Sequence, residues 1–169
     1  IIILTLTAIT RVSGQVPVLI NEILVCNSSV VMDETANFVE YIELYNTSSA
    51  WYNFKGIYLS DDKDNLKKWK ILENIGIGPK SFLLIWCDKK NNTTHTNFRM
   101  NPEGETIYLT DSAFKIIDSV KFKKQYVNIS YGCYPDGTSA YTYFAKPTPN
   151  KTNGIAGASV QLEKAKFSI

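Results

Sequence analysis

Apolar and polar residues alternate along Tyr41–Asn46, where Ile42 and Leu44 share one face of an extended chain. The opposite face carries the aromatic and charged side chains, which are Tyr41, Glu43 and Tyr45. A period of two fits a half-buried β-strand and does not fit a helix. A later segment, Gly56–Asp62, repeats the pattern and ends in a polar Asp-Asp turn. These two segments predict paired strands around which the rest of the chain is organised.

Short segments with strand character recur every ~8–12 residues, separated by turn-forming sequences such as Gly76–Lys80, and none has a helical pattern. The remaining segments are Val18–Cys26, Trp51–Phe54, Lys67–Leu72, Ser81–Cys87, Glu105–Thr110, Phe114–Phe122, Ser130–Pro135 and Ala140–Phe144. This spacing predicts an all-β fold, either a sandwich or a barrel.

The first strand, Val18–Cys26, is interrupted in its middle by the polar residues Asn21 and Glu22. We therefore expect an irregular pairing at these two positions. Elsewhere in the strand, strict alternation predicts that Leu24 lies on the same face as Ile20.

Two other segments carry specific expectations. Ser81–Cys87 is apolar on both faces, which predicts a central strand that is buried on both sides. In Phe114–Phe122, strict alternation would turn Asp118 into the core, so we expect a β-bulge between Ile116 and Ile117.

The two ends of the chain differ from the strand pattern. Ile1–Ile9 is an apolar run shorter than the ~20 residues that a membrane-spanning helix needs, and the small residues of Val12–Gly14 follow it. We interpret residues 1–14 as the remnant of a secretory signal peptide, with an N-terminal β-strand as the alternative. We expect residues 15–153 to form an exported domain. The composition of Lys146–Gly154 is that of a linker, and residues 154–169 are predicted to start a further module.

Composition narrows the function only slightly. A formal net charge of +2 in 169 residues gives no general argument for a nucleic-acid partner, which favours strongly basic domains. The cysteines are Cys26, Cys87 and Cys133, and their spacing excludes a C-x-x-C metal or redox motif. We interpret them as buried or idle thiols, at least one of which has no partner within the chain.

A series of motifs follows the strand pattern through Val18–Asn153. The motifs are Ile20–Ile23, Tyr41–Asn46, Gly56–Asp62, Trp69, His95–Phe98, Gly104–Leu109, Ile117–Val120, Ser130–Gly137 and Pro147–Asn150. In this order they resemble the lamin tail domain, in its bacterial, exported form. The family pattern has a basic residue where Cys133 stands, which argues against a charged site at that position.

The resemblance implies an immunoglobulin-like β-sandwich of two antiparallel or mixed sheets, with no catalytic activity and no cofactor. In nuclear lamins this domain contacts chromatin and other proteins, and in bacteria it occurs in secreted or surface proteins, beside hydrolase, nuclease or CotH-type modules. Gln161–Ile169 is similar to the start of a chitobiase/hexosaminidase C-terminal-like module. We therefore expect an interaction or spacer module of a larger protein at the cell surface, in the periplasm or outside the cell, and no membrane insertion of the mature domain.

Three groups of residues are candidates for chemistry. Asp61, Asp62 and Asp64 offer oxygen ligands for a metal such as Ca²⁺, although the spacing of an EF-hand is absent and a solvated turn is the favoured interpretation. The single histidine, His95, has no nucleophile motif beside it and is interpreted as a hydrogen-bonding residue at a loop–strand junction. The two mid-strand carboxylates, Glu22 and Glu43, are interpreted as hydrogen-bonded or ion-paired structural groups.

An interaction surface is the remaining possibility. Tyr41, Tyr45 and Tyr58 are candidates for a platform that binds a protein or a glycan, or for cross-strand packing. Lys121 and Lys123 share one strand face and could contribute to a basic stripe. Binding to nucleic acid is the alternative that we do not favour, because it would need basic patches to merge and aromatic residues to stand exposed.

Overall fold

The computed structural model describes residues 16–154, and within them it contains eleven strands and no helix. The strands are β1 (Val18–Leu24), β2 (Tyr41–Asn46), β3 (Tyr52–Asn53), β4 (Ile57–Ser60), β5 (Trp69–Lys70), β6 (Gly76–Ile77), β7 (Phe82–Trp86), β8 (Gly104–Asp111), β9 (Ile116–Lys123), β10 (Ser130–Cys133) and β11 (Tyr141–Phe144). The predicted signal peptide and the predicted downstream module lie outside the described residues. No segment of residues 16–154 is a helix long and apolar enough to cross a membrane.

The strands form two main sheets. One has five strands in the order β11-β10-β1-β2-β7, the other has four in the order β5-β4-β8-β9, and β3 pairs with β6. Neighbouring strands in these sheets are antiparallel. The all-β class and the two-layer sandwich that the sequence predicted are therefore confirmed.

The core lies between the two sheets. It is built by the apolar positions of the alternating strands, including Ile42 and Leu44 from β2, Leu59 from β4, and Ile107 and Leu109 from β8, all with no exposed surface. Burying one such side chain stabilises the fold by roughly 1.5–3 kcal/mol. The apolar period of two along these strands is thus the direct cause of the core between the sheets.

Strand β1 contains the irregularity that the sequence predicted. Its register against β2 shifts between Ile20 and Glu22, which leaves Asn21 as the bulged residue. The shift corrects the face prediction, because Ile20 and Ile23 both enter the core while Leu24 packs on the opposite side of the sheet.

The prediction that Ser81–Cys87 is a central strand is wrong, because β7 lies at the edge of the five-stranded sheet. Its two apolar faces have another cause. Ile85 faces the core, whereas Leu84 and Trp86 pack under the loop of residues 27–39. The outer edge is covered in part by Thr94–Thr96, which exchanges backbone hydrogen bonds with Trp86.

Two shorter segments also differ from the prediction. Gly76–Lys80 is not wholly a turn, since Gly76 and Ile77 pair with β3. The expected strand Lys67–Leu72 is reduced to Trp69–Lys70.

The bulge expected between Ile116 and Ile117 is confirmed. Leu109 pairs with Asp118, but the next residue, Thr110, pairs with Ile116, so Ile117 is the extra residue.

Candidate functional site

The outer face of the four-stranded sheet concentrates tyrosine and lysine side chains. Tyr58 on β4 lies opposite Lys70 on β5, and Lys121 lies opposite Thr106 on β8. Residues that are opposite or two apart share a face, and the other face of these strands carries the buried core positions. The residues that face outward and define what we call the Tyr–Lys face are Tyr58, Lys70, Tyr108, Lys121 and Lys123.

This face has a positive charge. Lys70 pairs with Glu73 at 2.8 Å, but neither Lys121 nor Lys123 forms an ion pair with the described residues. At one end of the face, the Nζ atom of Lys67 lies 3.8 Å from the ring centroid of Phe114, which is 60% exposed. The same Nζ atom lies 5.7 Å from the Tyr58 ring. Exposed lysines therefore share this face with half-buried tyrosines, whereas Ser60 and Thr110 on the same face are buried and donate hydrogen bonds to the loop that follows β4.

The tyrosines proposed as a platform separate in space. Tyr58 lies on the Tyr–Lys face, whereas Tyr45 lies on the other sheet and stacks on Phe82 with ring centroids 4.8 Å apart. The inclusion of Tyr41 in an exposed platform is wrong, because the loop of residues 27–39 covers it and leaves no exposed surface. Its ring contacts Trp86 edge-on at 6.2 Å.

The three aspartates considered as metal ligands do not converge. Asp61 pairs with Lys68 at 2.7 Å, and Asp64 pairs with Lys63 at 3.0 Å. The side chain of Asp62 accepts the backbone N–H of Asp64 at 2.9 Å, as in an Asx turn. These carboxylates shape a loop instead of forming one ligand set.

A different cluster surrounds His95, which is fully buried. Its Nδ1 atom lies 2.9 Å from Oδ2 of Asp88, and its Nε2 atom lies 2.8 Å from Oε1 of Glu34. Ligand atoms of Asp33, Asp88 and His95 lie within 4.8 Å of one another, the one such group among residues 16–154. Sequence reasoning missed this cluster because its loops are far apart in the chain.

The chain supplies its own cation to this cluster. The Nζ atom of Lys90 lies 2.8 Å from Oδ2 of Asp33 and 2.9 Å from Oδ2 of Asp88. Burial alone would raise the pKa of Asp33, but Lys90 and nearby N–H donors hold that pKa well below its usual range. We therefore interpret the cluster as an ion-paired clamp between two loops.

The environment of His95 also bears on catalysis. Both ring nitrogens face carboxylates, so neither is left to accept a proton from a serine or cysteine nucleophile. The interpretation of His95 as a hydrogen-bonding residue beside a strand is confirmed by these contacts and by its bridge to Trp86.

Glu22 and Glu43 face each other across β1 and β2, directly beside the bulge, and both are fully buried. Glu22 accepts hydrogen bonds from the hydroxyl groups of Ser130 and Tyr41, and Glu43 accepts one from the side-chain amide of Asn21. Burial, followed by the charge of Glu22, raises the pKa of Glu43 to about 8. They are hydrogen-bonded structural groups, as the sequence suggested, and no ion pair joins them to another described residue.

Residues 147–153, which we call the strap, lie over this pair. The backbone N–H of Thr148 donates to Glu22 at 3.2 Å, and that of Asn150 donates to Glu43 at 2.6 Å. The N–H of Asn153 donates to Asp136 at 3.0 Å. The linker-like composition of this stretch was therefore misleading, because the strap is hydrogen-bonded to the sheet.

All three thiols are free, and the pKa of each is raised. Burial raises the pKa of the Cys87 thiol well above its usual range and raises the pKa of Cys133 to about 12. Cys26 is half-buried, and burial raises its pKa as well. The expected burial is confirmed for Cys87 and Cys133, and that the thiols are idle stays a prediction.

The two stacked antiparallel sheets, with their accessible polar face, define an immunoglobulin-like β-sandwich domain. The sequence model of the Lamin Tail Domain family matches residues 11–124, which is more than half of the chain. The chain therefore belongs to the Lamin Tail Domain family. No curated protein matches the sequence at a significant level.

Proposed function

We propose that this domain is a non-catalytic interaction or spacer module of a larger secreted or surface protein, and that it contacts a protein or glycan partner through the Tyr–Lys face. The observation that carries the proposal is that the half-buried Tyr58 and Tyr108 and the exposed Lys121 and Lys123 lie on the outer face of the four-stranded sheet. Aromatic side chains supply contact area at a low cost in conformational entropy, and lysines supply charge for orientation.

The groups that could perform chemistry support the same proposal, because they are sequestered. His95 is enclosed by carboxylates, Glu22 and Glu43 lie beneath the strap, and the thiols of Cys87 and Cys133 are buried. A catalytic site needs a nucleophile, a base and space for a substrate in one place. These groups lie at separate positions in the fold.

Export is part of the proposal and rests on the sequence of residues 1–14, with its apolar run and small residues before Gln15. The absence of disulfides among the three cysteines gives no support to export. Mass determination of the protein recovered from the medium or envelope of its natural host would test the cleavage directly.

A nucleic-acid partner is the second candidate. One observation favours it, since Lys70, Lys121 and Lys123 share a face with Tyr58 and Tyr108, the combination of backbone-binding charge and stacking rings that single strands require. The modest net charge of +2 argues for weak binding.

Retention on immobilised DNA at increasing salt separates the two candidates. Phosphate contacts weaken steeply with salt, so a nucleic-acid domain would be retained at low salt and released as the salt rises, and Lys121→Glu would be released at lower salt. Lys89→Glu is the matched control, because Lys89 is an exposed lysine in the turn after β7. We expect no retention of either protein at physiological salt; strong retention that Lys121→Glu alone abolishes would favour the nucleic-acid function.

A protein or glycan partner is tested with the same variants. Binding of the native protein to envelope or matrix material from its host should decrease in Lys121→Glu and remain unchanged in Lys89→Glu. Equal loss in both variants would show a diffuse charge effect, and binding that survives Lys121→Glu would contradict the assignment to the Tyr–Lys face.

A further inference from the structure

The strap covers an unusual concentration of negative charge. Glu22, Glu43 and Asp136 bring three carboxyl groups to one side of β1 and β2, and within residues 16–154 no lysine, arginine or histidine forms an ion pair with them. The groups that face the carboxyl pair from β1, β2, β10 and the strap are neutral donors: Asn21, Tyr41, Ser130, Thr148 and Asn150.

We propose that Glu22 and Glu43 form a proton-sensitive latch, which holds the strap on the sheet while the pair retains a proton and releases it when both carboxyl groups ionise. The two residues are direct cross-strand partners, so their Cβ atoms lie ~5 Å apart on one face. Two carboxylates at such a separation and without a cation cannot both ionise at low cost.

Release of the strap is the movement that relieves this repulsion. The strap donates two backbone hydrogen bonds to the pair, from the N–H groups of Thr148 and Asn150. It also separates the pair from solvent. Lifting it admits water, which hydrates a carboxylate far better than a single N–H group does. Strands β1 and β2 can stay in place, because their own ladder and their core side chains do not depend on the strap.

The direction of the pH effect follows from the raised pKa of Glu43. Burial and the charge of Glu22 raise the pKa of Glu43 from 4.5 to about 8 and outweigh the hydrogen bonds from Asn21 and Asn150, which lower it. Protonation therefore favours the closed strap, so closure is strongest below about pH 4.5 and weakens as the pH rises toward about 8. The open fraction should thus grow as the pH rises from about 5 to about 8 and reach a plateau above pH 8.

Amide hydrogen exchange of the whole chain, read at Thr148, Asn150 and Asn153, tests the latch. After correction for the intrinsic rate, protection of these amides should fall by up to about tenfold per pH unit between about pH 5 and pH 8, the dependence expected for one linked proton, and should level off above pH 8. Amides of β2 and β7 should keep their protection over the same range. A strap whose protection parallels that of β2 and β7 up to pH 9 would overturn the proposal.

Two variants sharpen the test. Glu43→Gln keeps the side-chain size and an oxygen for the Asn150 N–H but cannot ionise, so its strap protection should not change with pH. Glu40→Gln is the control, because Glu40 is another carboxyl group whose pKa burial raises, to about 7, and it does not contact the strap. Its strap profile should match that of the native protein.

The native protein decides the question if Glu43→Gln does not fold. The carboxyl carbon of Glu43, followed by ¹³C NMR, should titrate near pH 8, where the fall in strap protection levels off. Titration of that carbon while the strap stays protected would rule out the latch.

Discussion

Asp118 on β9 accepts a hydrogen bond from the backbone N–H of Ile20 on β1, with the Oδ2 and N atoms 2.9 Å apart. Both residues lie beside bulges, in strands that belong to different sheets. The bulge in β1 frees an N–H group from the ladder, and the bulge in β9 directs a carboxylate toward it. The two irregularities therefore match each other and join the layers.

Asp118→Ala should remove this acceptor, so that the N–H group of Ile20 loses its hydrogen bond to Asp118 in the interior. We expect a loss of about 1–3 kcal/mol in the free energy of unfolding, measured by urea denaturation. Asp118→Asn keeps an oxygen at the same place and should lose clearly less. Equal losses of unfolding free energy in the two variants would show that the charge of Asp118, and not its hydrogen-bond acceptor oxygen, stabilises the fold.

A second prediction concerns Gly132 on β10, which lies against the bulge of β1. A Cβ atom at this position would lie 2.7 Å from the backbone oxygen of Asn21. Because backbone cannot move aside as a flexible side chain does, Gly132→Ala should destabilise the fold by about 1–3 kcal/mol. Thermal denaturation should show a clear decrease in melting temperature.

Gly154→Ala is the matched control for this change. A Cβ atom at Gly154 would have no heavy atom within 4 Å, so this variant should keep the native melting temperature. A native melting temperature for Gly132→Ala would mean that β1 and β10 lie farther apart than their register indicates.

Global stability should depend on pH through Glu40. Burial raises its pKa from 4.5 to about 7, so it contributes stability below pH 4.5 that is lost as the pH rises through about 7. The size of the effect is on the order of 3 kcal/mol. The free energy of unfolding should therefore fall between pH 5 and pH 8, and the fall should be smaller in Glu40→Gln.

Asp33 acts in the opposite direction. Its lowered pKa gives stability that is present above its ordinary value of 3.8 and lost in stronger acid. The two groups together place the stability maximum near pH 5, and urea denaturation from pH 3 to pH 9 would locate it. A maximum above pH 8 would contradict the raised pKa of Glu40.

The local sequence pattern was sufficient to predict most of the strands, the core positions Ile42 and Leu44, and both bulges, but not β6 or the face of Leu24. Local alternation failed to predict burial where a side chain is covered by a segment that is distant in the sequence. Tyr41 faces outward from β2 as predicted, but the loop of residues 27–39 covers it. The sequence of Tyr41–Asn46 alone does not predict that cover. An outward position is therefore not an exposed one.

The same limit explains the misplaced strand β7 and the missed clusters. An apolar segment such as Phe82–Trp86 indicates that both faces of the strand are covered, but not whether the strand lies in the centre or at the edge of its sheet. The partners of His95 include Glu34, 61 residues away, and the strap reaches Glu43 across 107 residues. Only the tertiary fold brings such groups together.

The last prediction concerns Lys90, whose ammonium group lies between Asp33 and Asp88. Lys90→Ala should leave these carboxylates without their cation and lower the melting temperature, since the side chains of both are almost fully buried. The same variant should create an opening for a divalent cation, because Asp33, Asp88 and His95 already hold ligand atoms within 4.8 Å of one another. Oxygen and imidazole nitrogen ligands suit Zn²⁺.

Addition of Zn²⁺ should therefore raise the melting temperature of Lys90→Ala and leave that of the native protein unchanged. Lys89→Ala is the matched control, since it removes a neighbouring exposed lysine outside the cluster and should behave as the native protein does. A double variant, Lys90→Ala with His95→Gln, should lose the response to Zn²⁺. Stabilisation of the native protein by Zn²⁺ would mean that the ion displaces Lys90 and that the cluster is a metal site and not a clamp.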